Sequence, residues 1–372
     1  MPPRTLQFLA ASPYRALVGV GGIGTGIFFA LQGDHTLGRN ESRPARLLDV
    51  RDYCKLHIIT HYMAVLLGAR PGGSPFHILP IGKVGDDDSG HRVLGEMELA
   101  GIDTRFVAKV KDQPTLFSVC FQYPDGTGGN LTTSESAASR LAPKDIDVCL
   151  PWLAAHGGKC MALAAPEASL EVRDRLLRAA TPSRAFRAGA FTSSEVREAS
   201  QRGLFALLDL VCMNEDEAGT LIDQTFDREA PQAFLDRCAE VLTSSNPEVW
   251  IMVSAGRHGA YGFANGVWDH CPAPSVPVAS TAGAGDALMA GVLAAIAVGI
   301  PFVQPGPARE TFASRPLGSA LDLGVLLAAY TVTSPHTIHP TANLETLLTF
   351  ADELGASFSD EIARHLRRDD RD

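Results

Sequence analysis

Early in its last third the chain reads Ser280-Thr281-Ala282-Gly283-Ala284-Gly285-Asp286 and then runs into ALMAGVLAAIAVG. Small residues let a backbone approach a ligand closely. A helix that opens here aims its unpaired N–H groups and the positive end of its dipole at whatever lies before it. The segment is therefore a candidate anion hole. Asp286 falls in the first turn, where a carboxylate is favoured as the anion and can accept a proton from a substrate hydroxyl. The same residues also suit an ordinary helix start after a tight glycine turn.

The elements that must position this segment read as alternating strands and helices. Ala16 to Gly21 is a β-type run, Tyr62 to Ala69 is helical, His77 to Ile81 is a strand, and Arg92 to Ala100 is a helix ending at Gly101. Val249 to Ser254 is a short apolar run before Gly256, as expected of a central strand. The alternation predicts an α/β fold, a doubly wound, mostly parallel sheet flanked by helices. Two segments break the rhythm: 34–58 is rich in charge, and 104–134 holds strands around the turn signal Pro124-Asp125-Gly126. Together, as segments of about 35–60 and 104–134, they predict a small β lid. Residues 305–318 read as a Pro/Gly-rich loop, and 351–372 as a C-terminal helix and charged tail frayed from Arg364 onward.

Composition limits the function. The 372 residues carry 32 Lys+Arg against 42 Asp+Glu, a net charge of −10, which argues against nucleic acid as a partner and for small molecules. At 45% hydrophobic and 20% charged the chain is globular, not disordered. Seven scattered cysteines with no close pair predict no disulfide framework or zinc site and a cytoplasmic location. His156, His258, His270, His336 and His339 have no metal-ligand spacing. Residues 16–32 are uncharged but hold five glycines and no convincing cleavage site, and the uncharged run 287–303 is interrupted by Pro301; neither predicts a membrane span or signal peptide. Gly19-Val20-Gly21-Gly22-Ile23-Gly24 fits GxGxxG, yet the following TGIFFALQGD makes only a poor helix, so dinucleotide binding is disfavoured.

Four further stretches, in order, share a pattern with the 280–286 segment. They are Ile81-Gly82-Lys83-Val84-Gly85-Asp86-Asp87-Asp88-Ser89-Gly90, then Glu98-Leu99-Ala100-Gly101-Ile102-Asp103-Thr104, Asn214-Glu215-Asp216-Glu217, and Val253-Ser254-Ala255-Gly256-Arg257-His258-Gly259-Ala260. With GAGD opening an apolar helix, the chain resembles the PfkB-type carbohydrate kinases, the ribokinase-like family, over about residues 14–350. The resemblance implies an ATP- and Mg²⁺-dependent kinase that phosphorylates a hydroxyl of a sugar-like molecule. Asp286 would be the base, and the backbone of Ala282, Gly283, Ala284 and Gly285 would hold the transferring phosphoryl group. Asn214 and Glu217 would hold Mg²⁺ through water, although NEDE alone also reads as a solvated helix start. Ser254, Gly256 and Gly259 would line the nucleotide, with the 328–333 stretch against the adenine. The family's glycine-rich first strand edge lies near its sugar, which makes Gly22 a candidate contact.

The acceptor side departs from that pattern. Where the family carries an Asp at the end of the first strand and GGxxxN before the next helix, this chain has Gly24-Thr25-Gly26 and Tyr53-Cys54-Lys55-Leu56-His57-Ile58. The pocket is expected to be rebuilt, with Lys55, His57 and His61 as contacts and Arg39, Asn40 and Arg43 from the charged segment; such basic groups would suit an acidic acceptor. A solvated surface loop explains the same charges. Ser280-Thr281-Ala282 replaces the family's Asp-Thr before GAGD, which puts potassium activation in doubt. A nucleoside kinase and a catalytically silent binding protein are the rival readings. A homodimer through the lid is expected from the resemblance, because exposed lid strands leave unpaired edges.

Overall fold

The computed structural model describes residues 4–72, 75–124 and 128–366. In chain order the first strand β1 (Ala16–Val20) leads to β2 (Gly24–Leu31), β3 (Ala45–Tyr53), helix α1 (Lys55–Leu67) and β4 (His77–Gly85). Next come α2 (Asp88–Leu99), β5 (Val107–Val110), the hairpin strands β6 (Leu116–Gln122) and β7 (Gly128–Thr132), and α3 (Leu150–His156). The middle holds β8 (Cys160–Ala164), α4 (Leu170–Ala180), β9 (Phe186–Ala190), α5 (Val196–Gln201), β10 (Leu210–Asn214) and α6 (Glu215–Ile222). The chain closes with α7 (Pro231–Ser245), β11 (Trp250–Ser254), β12 (Ala260–Ala264), β13 (Val267–Cys271), α8 (Ala284–Val298), α9 (Ala320–Thr331), α10 (Leu344–Glu353) and α11 (Asp360–Leu366).

Nine strands form one sheet in the order β13-β12-β11-β10-β9-β8-β1-β4-β5. It is parallel from β11 to β5, with β12 and β13 antiparallel at one edge. Its central strands are apolar without alternation because helices cover both faces; β1 and β8 are buried at every residue. The doubly wound α/β class expected from the sequence is thus the observed one. The uncharged run after Asp286 is α8, buried almost along its whole length against α1 and α9. Small residues make that packing close: a Cβ on Gly291 would lie 2.8 Å from Gly324 Cα. Among the described residues no helix is long and apolar enough to cross a membrane.

A second sheet of four strands, β3-β2-β6-β7, stands apart from the first. Its core strand is the stretch after the glycines that reads as a poor helix in sequence. Ile27, Phe28 and Phe29 favour extended backbone, and β2 pairs on both edges, parallel to β6 and antiparallel to β3. Two boundaries differ from the sequence reading. Helix α1 begins at Lys55, not near Tyr62, and β5 joins the large sheet through β4. The β6–β7 hairpin forms as expected; residues 125–127 of its turn lie outside the described residues.

The Pro/Gly-rich loop is fastened from below: Arg309 pairs with Asp322 at 2.7 Å, both buried, and Arg315 pairs with Asp269 at 2.9 Å. Residues beyond 350 pack on the main core through Ala351, Ile362 and Leu366, and His365 Nδ1 lies 2.9 Å from Gln7 O. Of the expected tail, residues 364–366 belong to α11 and the rest lies outside the described residues. All seven cysteines are free and buried.

Candidate active site

The strands of the large sheet end, at their carboxyl edge, in the residues that the sequence singled out. Asn214 closes β10 and Ser254 closes the neighbouring β11, opposite each other in register. Ligands of open α/β sheets bind at this edge. Here the edge borders a cleft of about 820 Å³ lined by Asn214, Ser254, Gly256 and Gly259, by Ala284 and Gly285, and by an apolar wall of Leu288, Val325, Ala328, Ala329 and Val332. Gly259 is required by its backbone: φ is +90°, and a Cβ would meet Cys271 O at 2.0 Å.

A smaller pocket of about 310 Å³ adjoins it, lined by Ala282, Gly283 and Asp286 together with Lys55, Asp52, Glu167 and Ser118. Thr281 borders both cavities. The N-terminus of α8 is therefore the wall between them. Like α1, α3, α5 and α7, α8 has no side-chain cap; it starts from Gly283 at φ +80°, leaving the N–H groups of its first turn open toward the cavities. A Cβ on Gly283 would lie 2.4 Å from Thr337 O, so only glycine fits. Just before it, Ser280 Oγ accepts from Ala282 N at 3.2 Å.

Charges meet at this wall. Lys55 Nζ lies 4.0 Å from Asp286 Oδ2, and Asp286 in turn holds the Lys55 ammonium above its usual range. Burial pushes the Asp286 carboxyl up, Lys55 opposes that shift, and Asp52 reinforces it. Glu167 is raised to about 7 by desolvation, with Lys55 opposing and Asp286 adding to the rise. Glu217 is raised to about 7 as well, by desolvation, while its hydrogen bond from Asn214 N opposes. Asn214 and Glu217 cap α6 reciprocally, Asn214 N donating to Glu217 Oε2 and Glu217 N to Asn214 Oδ1, each at 2.8 Å. The expected helix start is thus present; Asn214 also lines the larger cleft, whereas Glu217 does not and spends a carboxylate oxygen on the cap.

The donors near Asn214 are hard oxygens, and Glu215 Oε2 is buried without a hydrogen bond. Among the described residues no three His, Cys, Asp or Glu side chains could hold a metal by themselves. Hard oxygen donors fit Mg²⁺, which keeps water and phosphate oxygens as most of its ligands; the other oxygen of Glu215 is paired with Arg228.

Of the residues expected on the acceptor side, Lys55 lines the smaller pocket. Gly22 lies beside it, where a Cβ would come within 2.5 Å of Glu167 Cβ. The others stand elsewhere. Arg39 and Asn40 lie on the exposed loop between β2 and β3, Asn40 in a left-handed turn at φ +61°, and Arg43 is held by Glu41 at 2.7 Å. His57 and His61 are one turn apart on α1; His57 is buried with neither ring nitrogen hydrogen-bonded, and burial lowers both, His61 to about 4. Because α1 starts at Lys55, His57 lies on a helical turn that faces the core. Neither the loop residues nor the histidines line either of these two cavities.

Sequence reasoning passed over Asp52, Ser118 and Glu167. Nothing in the sequence points to the first two. Glu167 had a signal: an acid just past the end of a parallel strand, β8, where ligands of such sheets gather.

The model of the pfkB family carbohydrate kinases matches residues 75–344. No curated protein matches the chain by sequence. Solved structures do resemble it. The ribokinase of Giardia lamblia superposes with a TM-score of 0.73 at 13% identity, over 90% of this chain and 99% of that one. A putative ribokinase II of E. coli in complex with ATP and Mg²⁺ gives 0.67 at 15% identity, over 91% and 99%. The ribokinase of Cryptococcus neoformans in complex with ADP gives 0.67 at 20% identity, over 90% and 99%. With the family model spanning well over half of its length, the chain belongs to the pfkB family of carbohydrate kinases.

Proposed function

We propose that the protein is an ATP- and Mg²⁺-dependent kinase that moves the γ-phosphoryl group to a hydroxyl of a sugar or sugar-like molecule. The observation that carries this reading is the position of the uncapped α8 N-terminus between two adjoining cavities, with Asp286 facing the smaller one. ATP fits the larger cleft: an apolar wall suits the adenine, and the small residues Gly256, Gly259, Ala284 and Gly285 let phosphates approach the backbone. Mg²⁺ near Asn214 and Glu217 would neutralise the phosphate charge. In the smaller pocket Asp286 takes the proton of the acceptor hydroxyl as its oxygen bonds to the γ-phosphorus and ADP departs. The N–H groups around Gly283 to Gly285 and the Lys55 ammonium stabilise the transferring group.

The four-stranded sheet supplies Asp52, Ser118 and residues 128–130 to the pocket wall, and we read it as the lid of the site within one domain over 14–350. Its edge strands β3 and β7 expose Leu47 and Leu131, which supports pairing of two copies through this sheet. Free buried cysteines support a reducing, cytoplasmic location.

The test is ADP release from Mg-ATP across a panel of sugars, polyols and nucleosides. Release that depends on an acceptor supports the reading. A protein that ATP stabilises against melting, yet that releases no ADP with any acceptor, would be a silent binder instead.

A further inference from the structure

Resting on the kinase reading, the smaller pocket also bears on which acceptor it takes. Among the described residues the one cation lining it is Lys55, 4.0 Å from Asp286 and shared with Glu167. With Asp52, three carboxylates thus face one ammonium. Asp52 is only 6% exposed, and its hydrogen-bond donors are neutral: Ser118 Oγ at 2.7 Å and Cys120 Sγ at 3.3 Å, both to Oδ2. Glu167 accepts from the backbone N of Lys55 at 3.2 Å.

Each of these carboxylates sits over a glycine that leaves room for it. Gly26 stands in register between Asp52 on β3 and Ser118 on β6, and a Cβ there would lie 2.5 Å from Asp52 Oδ2 and 2.4 Å from Ser118 Oγ. At Gly22 a Cβ would lie 2.6 Å from Glu167 Oε2. Glu167 itself holds φ +69°, a left-handed conformation that a residue with a side chain keeps only where its surroundings fix it. Two acids are thus seated deliberately, from different elements, in one small cavity. An acceptor with a carboxylate or phosphate would face them unpaired; a protonated amine would neutralise them.

We propose that the acceptor is an alcohol that also bears a protonated amine, an amino sugar or amino polyol, seated by Asp52 and Glu167, and that Asp52 is the residue that selects it. This replaces the acidic acceptor that the basic residues of the sequence suggest, since Arg39, Arg43, His57 and His61 lie outside the pocket.

The experiment uses matched sets: a neutral sugar, its amino analogue, its acid and its phosphate, each measured for kcat/KM and, separately, for melting-temperature shift without ATP. The amino analogue is expected to lead its neutral parent by about 10–100-fold, with the anionic members weakest. Asp52→Asn should lower kcat/KM for the amino analogue several-fold more than for the neutral parent and so remove most of that lead; Ser118→Ala, a gentler change, should reduce it partly. The neutral or anionic member leading, or Asp52→Asn lowering all members equally, would overturn the proposal. The two readings fail separately. Absence of ADP release with all acceptors rejects the kinase, whereas the melting shifts still decide whether the pocket prefers the amine.

Discussion

The larger cleft and the smaller pocket share a wall but are built by different means. The cleft is made mainly of backbone and small residues: Gly256, Gly259, Ala284 and Gly285 with an apolar flank. The pocket is made of side chains from separated elements, Asp52 from β3, Lys55 from α1, Ser118 from β6, Glu167 from beyond β8 and Asp286 from α8. A phosphate chain needs N–H groups and room, which one local sequence can supply. A particular acceptor needs charges in a particular geometry, which only the folded chain assembles. The two regions should therefore respond to different substitutions.

The largest effect is expected where they meet. Asp286→Asn should lower turnover by ~10²–10⁴-fold, the range for loss of a general base, and leave the stabilisation by Mg-ATP intact. Equal loss of ATP binding would make Asp286 part of the cleft and blur the division.

Glycines test it from each side. Gly22→Ala puts a Cβ 2.5 Å from Glu167 Cβ and should lower acceptor kcat/KM by about 10–100-fold while ATP still stabilises the protein. Gly259→Ala, at φ +90°, should do the reverse, raising the KM for ATP and reducing stability by about 1–3 kcal/mol in denaturant titration. Matching profiles for the two variants would show a single, undivided site.

Acid sensitivity separates the regions more finely. The unfolded chain protonates His57 near pH 6.5, whereas the fold keeps it neutral far below that, so its contribution is complete above 6.5 and is lost as pH falls. His57→Leu should reduce the stability lost between pH 7 and 5 by about 1–2 kcal/mol without changing the nucleotide cleft. Glu217 has the opposite sign. Its folded value of about 7 lies above its ordinary 4.5, so its contribution is greatest at low pH and fades as pH rises through 7. A bound cation favours the ionised form, so the melting shift from Mg-ATP should grow modestly from pH 6 to pH 8, and Glu217→Gln should flatten that rise.

These contrasts also account for what could be read in the sequence. The doubly wound sheet was legible because buried parallel strands are continuous apolar runs, as in β1 and β11, and because α8 follows a segment that needs glycine at residue 283. The pocket was not. Asp52 looks like one more charge in the polar run of β3, and only its register opposite Gly26 brings it to Ser118. The glycines of 19–26 were visible as a cluster, but part of their purpose is to leave space for residues 52 and 167. His57 and His61 misled because a helix starting seven residues earlier than expected turns them into the interior.

The central claim is that the α8 N-terminus joins the two cavities for phosphoryl transfer. Its most direct test is the stoichiometry of products with a working acceptor, measured beside Asp286→Asn. The account predicts one phosphate ester per ADP, both falling together in the variant. ADP accompanied by free phosphate and no ester, or full ester formation without Asp286, would contradict it.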